Sequence, residues 1–175
     1  MSKNTQFWIL ISIGLLLIIV INTVIFPSYI AQLDAVSSNV ETIFDLSYFY
    51  TPDQAYAKIA AFGSQGVPII HKLTAVDFLY IIIYSFTYYF LLRKYVPTVF
   101  PTRKSLQKLA PFVIAVFDIC ENLGYSTLIR YYPERLDGLA YFTAFSTAIK
   151  WSLVAFLVPF WVVVLIGALK KQIVG

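Results

Sequence analysis

Four ionisable side chains stand inside otherwise apolar stretches of this chain: Asp77, Asp118, Glu121 and Lys150. Three carboxylates and one ammonium are the materials of an ion pair, a proton relay, a cation site or an acid–base pair. A charge at the centre of a membrane helix costs about 2.5–3.5 kcal/mol on insertion scales, so such residues mark pairing or function. The helical period of about 100° per residue puts Asp118, Glu121, Asn122 and Tyr125 on one face. Thr143, Ser146, Thr147 and Lys150 share a second face, and Asp77, Tyr80 and Tyr84, with Tyr88 beyond them, a third. These stripes, Tyr88 apart, supply the candidate ligand-binding residues. Three acids against one lysine leave two surplus negative charges, which low dielectric does not tolerate. A protonated carboxylate, a bound cation or water resolves the surplus. A Lys150–Glu121 pair that only fixes helix register is an equally open reading.

Other chemistries find less material. Cys120 is the one cysteine and His71 the one histidine, so a disulfide framework, a Cys-rich zinc site and bis-histidine ligation within one chain are excluded. Asp118 and Glu121, at i and i+3, could offer oxygens to Mg²⁺ or Mn²⁺, but no second acid pair joins them. There is no P-loop, no DDxxD pair and no G-x-S-x-G elbow, and no nucleophile–base pair can be named for covalent catalysis. Asp137-Gly138 opens like the CDP-alcohol phosphotransferase signature, but the residues that should follow are missing. No metal and no cofactor is expected.

The elements that carry these residues are long and apolar. Of 175 residues, 59% are hydrophobic and 13% charged, about half the share typical of soluble domains, and 18% are aromatic, which excludes a disordered chain. A bilayer core of about 30 Å needs about 20 helical residues. Stretches of that length lie at about 7–26, 74–95, 109–130 and 139–169. The fold expected is all-α, a single polytopic membrane domain built as a four-transmembrane-helix bundle. With a rise of about 1.5 Å per residue, Asp118 lies roughly 13 Å, Glu121 roughly 18 Å and Lys150 roughly 16 Å into their spans. Entering from opposite sides, the three meet near the midplane, with Asp77 closer to the outer surface. A polar pocket opening outward follows.

Direction is read from the flanking charges. Lys3, Arg93, Lys94, Arg103, Lys104, Lys108, Lys170 and Lys171 flank the spans on one side with no Asp or Glu among them. The other side holds Lys58, Lys72, Arg130 and Arg135 against Asp34, Glu41, Asp45, Asp53, Glu134 and Asp137. Both termini are therefore expected in the cytoplasm, in a multi-pass plasma-membrane protein. Arg93, Lys94, Arg103, Lys104 and Lys108 are expected against anionic lipid headgroups rather than nucleic acid, although the pI is near 9.1. The first span, some twenty residues long with no A-x-A site after it, reads as an uncleaved anchor, not a signal peptide. In the external segment 27–73, Thr51-Pro52-Asp53-Gln54 is a capping box with Pro at the first helical position, and Gly63 is a stop. A short amphipathic helix between them either lies on the membrane surface or roofs the bundle.

Tyr50-Thr51-Pro52-Asp53-Gln54-Ala55-Tyr56, the Asp77 span, Asp118-x-x-Glu121-Asn122 and Lys150-Trp151 together resemble uncharacterised four-helix bacterial membrane proteins. The resemblance implies a bacterial cytoplasmic membrane and a four-span bundle, and no activity. Three functions remain open. The first is a pocket that binds or moves a cation, a proton or a polar or lipid headgroup. The second is a membrane-embedded enzyme acting on a lipid or isoprenoid, with Asp118 or Glu121 as general acid–base and Lys150 stabilising negative charge. The third is an accessory or assembly protein whose charge cluster is purely structural.

Overall fold

A computed structural model describes residues 2–37, 47–99 and 106–174. Every regular element in it is helical: α1 (Lys3–Val20), α2 (Phe26–Val36), α3 (Pro52–Val99), α4 (Leu106–Tyr131) and α5 (Asp137–Val174). Four helical stretches are long and apolar enough to cross a membrane by length and composition: Lys3–Val36, Pro52–Pro97, Lys108–Tyr131 and Asp137–Val164. The helices overrun the spans expected from hydropathy, and the first two do so most. Glu41, Asp45, Arg103 and Lys104, used above for orientation and lipid contact, lie outside the described residues.

The first overrun has a local cause. Ser2 caps α1 by accepting from the Thr5 N–H. Where the external segment is expected to begin, at Pro27, a π-helical turn at Ile21–Ile25 instead carries the chain on into α2. The turn delivers Pro27 to the start of α2, where a missing N–H costs little. α1 packs on α3 through a thin stripe, Ile11, Gly14 and Ile18, continued by Ile21, and its other faces present Leu10, Ile13, Leu16 and Ile19 outward.

α3 begins with the expected reciprocal cap. The Thr51 N–H donates to Gln54 Oε1 at 2.8 Å, and the Gln54 N–H donates to Thr51 Oγ1 at 3.3 Å. Gly63 breaks the helix with φ 56° and ψ −169°, a left-handed backbone that favours glycine. The chain then turns helical again and continues to Val99, well before and beyond the 74–95 stretch. The short helix 52–62 roofs the bundle: Ala55, Tyr56, Ile59 and Phe62 are buried in one cluster with Leu128 and Ile129 of α4 and Ala140 and Ala144 of α5. The Tyr56 hydroxyl also accepts from the Leu136 N–H.

Arg135 ties this roof to the α4–α5 loop. Its Nη2 donates to Asp53 Oδ1 at 2.6 Å and its Nε to Asp137 Oδ1 at 3.0 Å, with the guanidinium 5.0 Å from the Tyr56 ring centroid. The two bonds hold the Arg135 guanidinium above its ordinary pKa range. All three charged groups are solvent-exposed, so water and salt screen the pair. Arg135→Ala is expected to lower the thermal midpoint of the purified protein only slightly. The loss should shrink further in high salt, as read by unfolding scans at two ionic strengths.

The core of the bundle is α3, α4 and α5, each packed on the other two. At the end opposite the roof, the Lys94 ammonium sits 4.3 Å from the ring centroids of both Phe7 and Trp8 and donates to Asn4 Oδ1 at 3.2 Å. There it clamps the start of α1 to α3.

Candidate functional site

The acids and the lysine meet. Lys150, reaching in from α5, places its Nζ 2.7 Å from Glu121 Oε2 and 3.1 Å from Asp118 Oδ1, both on α4. All three side chains are buried, at 5%, 4% and 6% exposure. The i, i+3 spacing makes this geometry possible, because it stacks the two carboxylates one turn apart on the face that α5 covers. Tyr84 of α3 closes the group, its hydroxyl donating to Asp118 Oδ2 at 3.0 Å. One ammonium, two carboxylates and one phenol thus join α3, α4 and α5 at a single level. In low dielectric, charge-assisted bonds of this kind are strong, and losing one partner is costly.

Asp77 forms a second node. Its carboxylate accepts from Asn122 Nδ2, which links α3 to α4 on the same side of the bundle as the triad. A third link involves a residue that periodicity alone did not single out. Asn22, in the π-helical turn, donates from Nδ2 to the Ile18 carbonyl at 2.8 Å and to the Tyr80 hydroxyl at 3.0 Å. The signal was present in the sequence as the one amide inside the first apolar stretch. Turns of this wide kind recur at functional sites, because they free a carbonyl and swing a side chain off the regular helical face.

All three nodes border one cavity of about 390 Å³. Of the predicted candidates, Asp77, Tyr80, Tyr84, Asp118, Glu121, Asn122, Tyr125 and Lys150 line it. Thr143, Ser146 and Thr147 do not. Their hydroxyls donate back to the Leu139, Phe142 and Thr143 carbonyls of their own helix, and the residues are buried in the bundle off the cavity wall. They share a face with Lys150 near their own Cα atoms, but the long lysine side chain reaches a place that short hydroxyls cannot.

Apart from Thr74, the rest of the wall is apolar and aromatic. Phe26 and Ile30 of α2, Ile70 and Leu73 of α3, and Val154, Leu157 and Val158 of α5 contribute, with Trp151 and Trp161. Rings line it in runs: Phe26 stands 5.4 Å from Tyr80, Tyr80 stands 5.2 Å from Tyr84, and Tyr88 lies 4.1 Å from Trp161. Tyr88 and Trp161 are functional candidates that the sequence reading passed over, Tyr88 because it could equally belong to an interfacial belt. From Ile70 to Tyr88 the wall covers roughly 27 Å of α3 at the helical rise.

Both α2 and α5 border the cavity, and among the described residues α1 and α2 pack mainly against α3. The α5 wall includes Trp151 and Val158, both exposed. What the arrangement can do chemically is hold a molecule with a polar part at Asp77, Asp118 and Lys150 and an apolar part along Val154 and Leu157. Asp118 and Glu121 point their oxygens at Lys150, and among the described residues no group of three His, Cys, Asp or Glu side chains is placed to hold a metal ion.

No protein-family model matches the chain, and no curated protein or solved structure matches it either. The likeness to four-helix bacterial membrane proteins therefore rests on the short segments that suggested it.

Proposed function

We propose that the chain is an integral membrane protein with four spans that binds an amphiphilic ligand in the cavity between α2, α3, α4 and α5. The observation that carries this reading is the pairing of a long apolar cavity with a buried ionic network on its wall. At about 390 Å³ it falls within the roughly 300–1,000 Å³ common for ligand sites. A site for a bare inorganic ion has no use for a wall of tryptophan, leucine and valine. A packing defect has no use for three carboxylates and a lysine. The membrane setting is supported by α1, whose exposed leucine and isoleucine faces would be untenable in water over that length.

In this reading the basic segments face the cytoplasm, by the Lys and Arg asymmetry, and the roof and Arg135 face outward. Arg93 and Lys108 are available to anionic headgroups, whereas Lys94 already has ring partners. In this reading the ligand enters sideways from the bilayer, between α2 and α5, which both border the cavity. An enzymatic use of Asp118 or Glu121 is a second reading, but the geometry does not favour it separately: both carboxylates are held on Lys150, which suits positioning and binding without any bond being broken.

The test fills the cavity from its wall. The full chain, extracted into copolymer discs and moved to a neutral detergent, is expected to show by native mass spectrometry a species carrying one added amphiphile mass. Val154→Phe, which projects a ring into the cavity, is expected to lose that species while keeping its helical circular dichroism. Bare chain in both proteins, or equal occupancy in both, would overturn the proposal.

A further inference from the structure

We propose that the headgroup held at this site is a cation of the substituted-ammonium class, so that the ligand is a cationic amphiphile. The inference rests on the amphiphile-binding reading above and adds the sign and chemistry of the polar part. Among the described residues that line the cavity, the ionisable groups other than phenols are Asp77, Asp118 and Glu121 on the acidic side and Lys150 alone on the basic side. Lys150 is already shared between two carboxylates. An anionic headgroup entering here would meet three acids and one ammonium whose charge is engaged twice over. A phosphate or carboxylate ligand is therefore disfavoured by Coulomb repulsion in a medium of low dielectric.

A neutral headgroup would leave the formal surplus of two negative charges as it stands. A cation relieves it, as a proton on one carboxylate or water also would, and of these only the cation makes use of the rings beside the acids. The aromatic wall then says what kind of cation. A small hydrated ion wants a shell of oxygens, but the groups nearest Asp77 and Asp118 include the rings of Tyr80 and Tyr84, with Tyr88 and Trp161 further along. Ring faces bind alkylated ammonium groups well, because these carry a diffuse charge and shed water readily. The indole of Trp151 already stands beside one ammonium, its ring centroid 5.6 Å from the Lys150 Nζ. The Tyr80 ring is held between Phe26 and Tyr84, and its hydroxyl is tied to Asn22 as well.

The experiment titrates the full chain in a neutral maltoside detergent with four probes: decyltrimethylammonium, decyl sulfate, decanol and tetramethylammonium. Tryptophan fluorescence is the readout, in a Trp8→Phe background so that only Trp151 and Trp161 report, and Val154→Phe in the same background sets the baseline for partition into the micelle. Decyltrimethylammonium is expected to saturate at about tenfold lower concentration than decyl sulfate or decanol, and tetramethylammonium, which lacks a chain, to bind far more weakly. Asp77→Asn is expected to erase the preference for the cation without erasing decanol binding. Tyr80→Leu is expected to weaken the cation several-fold where Tyr80→Phe, which also loses the bond to Asn22 but keeps the ring, does not. Equal saturation by the three decyl probes would overturn the cationic assignment while leaving the amphiphile pocket standing. Tetramethylammonium binding as tightly as its decyl analogue would overturn the amphiphilic part. No saturation above the plugged baseline by any probe would overturn both.

Discussion

Replacing Lys150 by methionine is expected to remove about 3–5 kcal/mol of stability, the usual consequence of stripping one partner from a buried ion pair. Methionine matches the apolar stem of lysine closely, so packing changes little and the loss is electrostatic. It leaves Asp118 and Glu121 facing one another across a site that is 6% and 4% exposed, with no ammonium between them. The carboxylate variants should hurt less. Asp118→Asn keeps the 2.7 Å contact between Lys150 and Glu121 and retains an acceptor for the Tyr84 hydroxyl. Glu121→Gln likewise leaves Asp118 on the lysine. The order Lys150→Met well above either single carboxylate variant, measured as the thermal midpoint in detergent, is the signature of a shared ammonium. The triple variant Lys150→Met, Asp118→Asn, Glu121→Gln is expected to regain most of the loss, since it removes the charges together. That variant also separates two roles. A purely structural lock can be neutralised at no cost to ligand occupancy, whereas a binding network cannot.

The triad was legible in the sequence because two simple rules sufficed. Helical spacing put Asp118 and Glu121 on one face, and the rise per residue put both at the level of Lys150 from the opposite entry side. The roof helix was legible for the same local reason: Thr51, Pro52, Gln54 and Gly63 each act within a turn of their own position. What failed turns on three-dimensional geometry that residue spacing does not carry. The continuation of the first helix through Pro27 needs a widened turn, and nothing about Ile21 to Ile25 taken residue by residue announces one. The assignment of Thr143, Ser146 and Thr147 to the pocket failed on reach. A face defined by Cα angles does not say how far each side chain extends, and three short hydroxyls satisfy themselves on carbonyls one turn back. Tyr88 and Trp161 belong to the wall only because α3 and α5 converge there, a fact of packing rather than of pattern.

Convergence of α4 and α5 has its own point of vulnerability, at Gly124, and Gly124→Ala is expected to be damaging. A Cβ at Gly124 would overlap Thr143 Oγ1 and stand 3.2 Å from Thr143 Cβ. Thr143 is fully buried and its hydroxyl is held on the Leu139 carbonyl at 2.8 Å, so rotation trades one clash for another and breaks that bond. α4 and α5 must therefore move apart, and overpacking of this kind costs about 1–3 kcal/mol. The close approach is what small residues at helix interfaces allow in membranes, where no hydrophobic force holds the helices together. The effect should reach the site, because Lys150 lies about two turns along α5 from Thr143, and its two contacts on α4 are set by how closely those helices sit. A lower thermal midpoint accompanied by weaker occupancy of the cavity is thus the expected pair of results for Gly124→Ala. Adding Thr143→Ala removes the hydroxyl and leaves a contact that a shift of a few tenths of an ångström relieves, so the double variant should recover both readings. Recovery of stability without recovery of occupancy would mean that the hydroxyl of Thr143 matters to the cavity in some way other than spacing the helices.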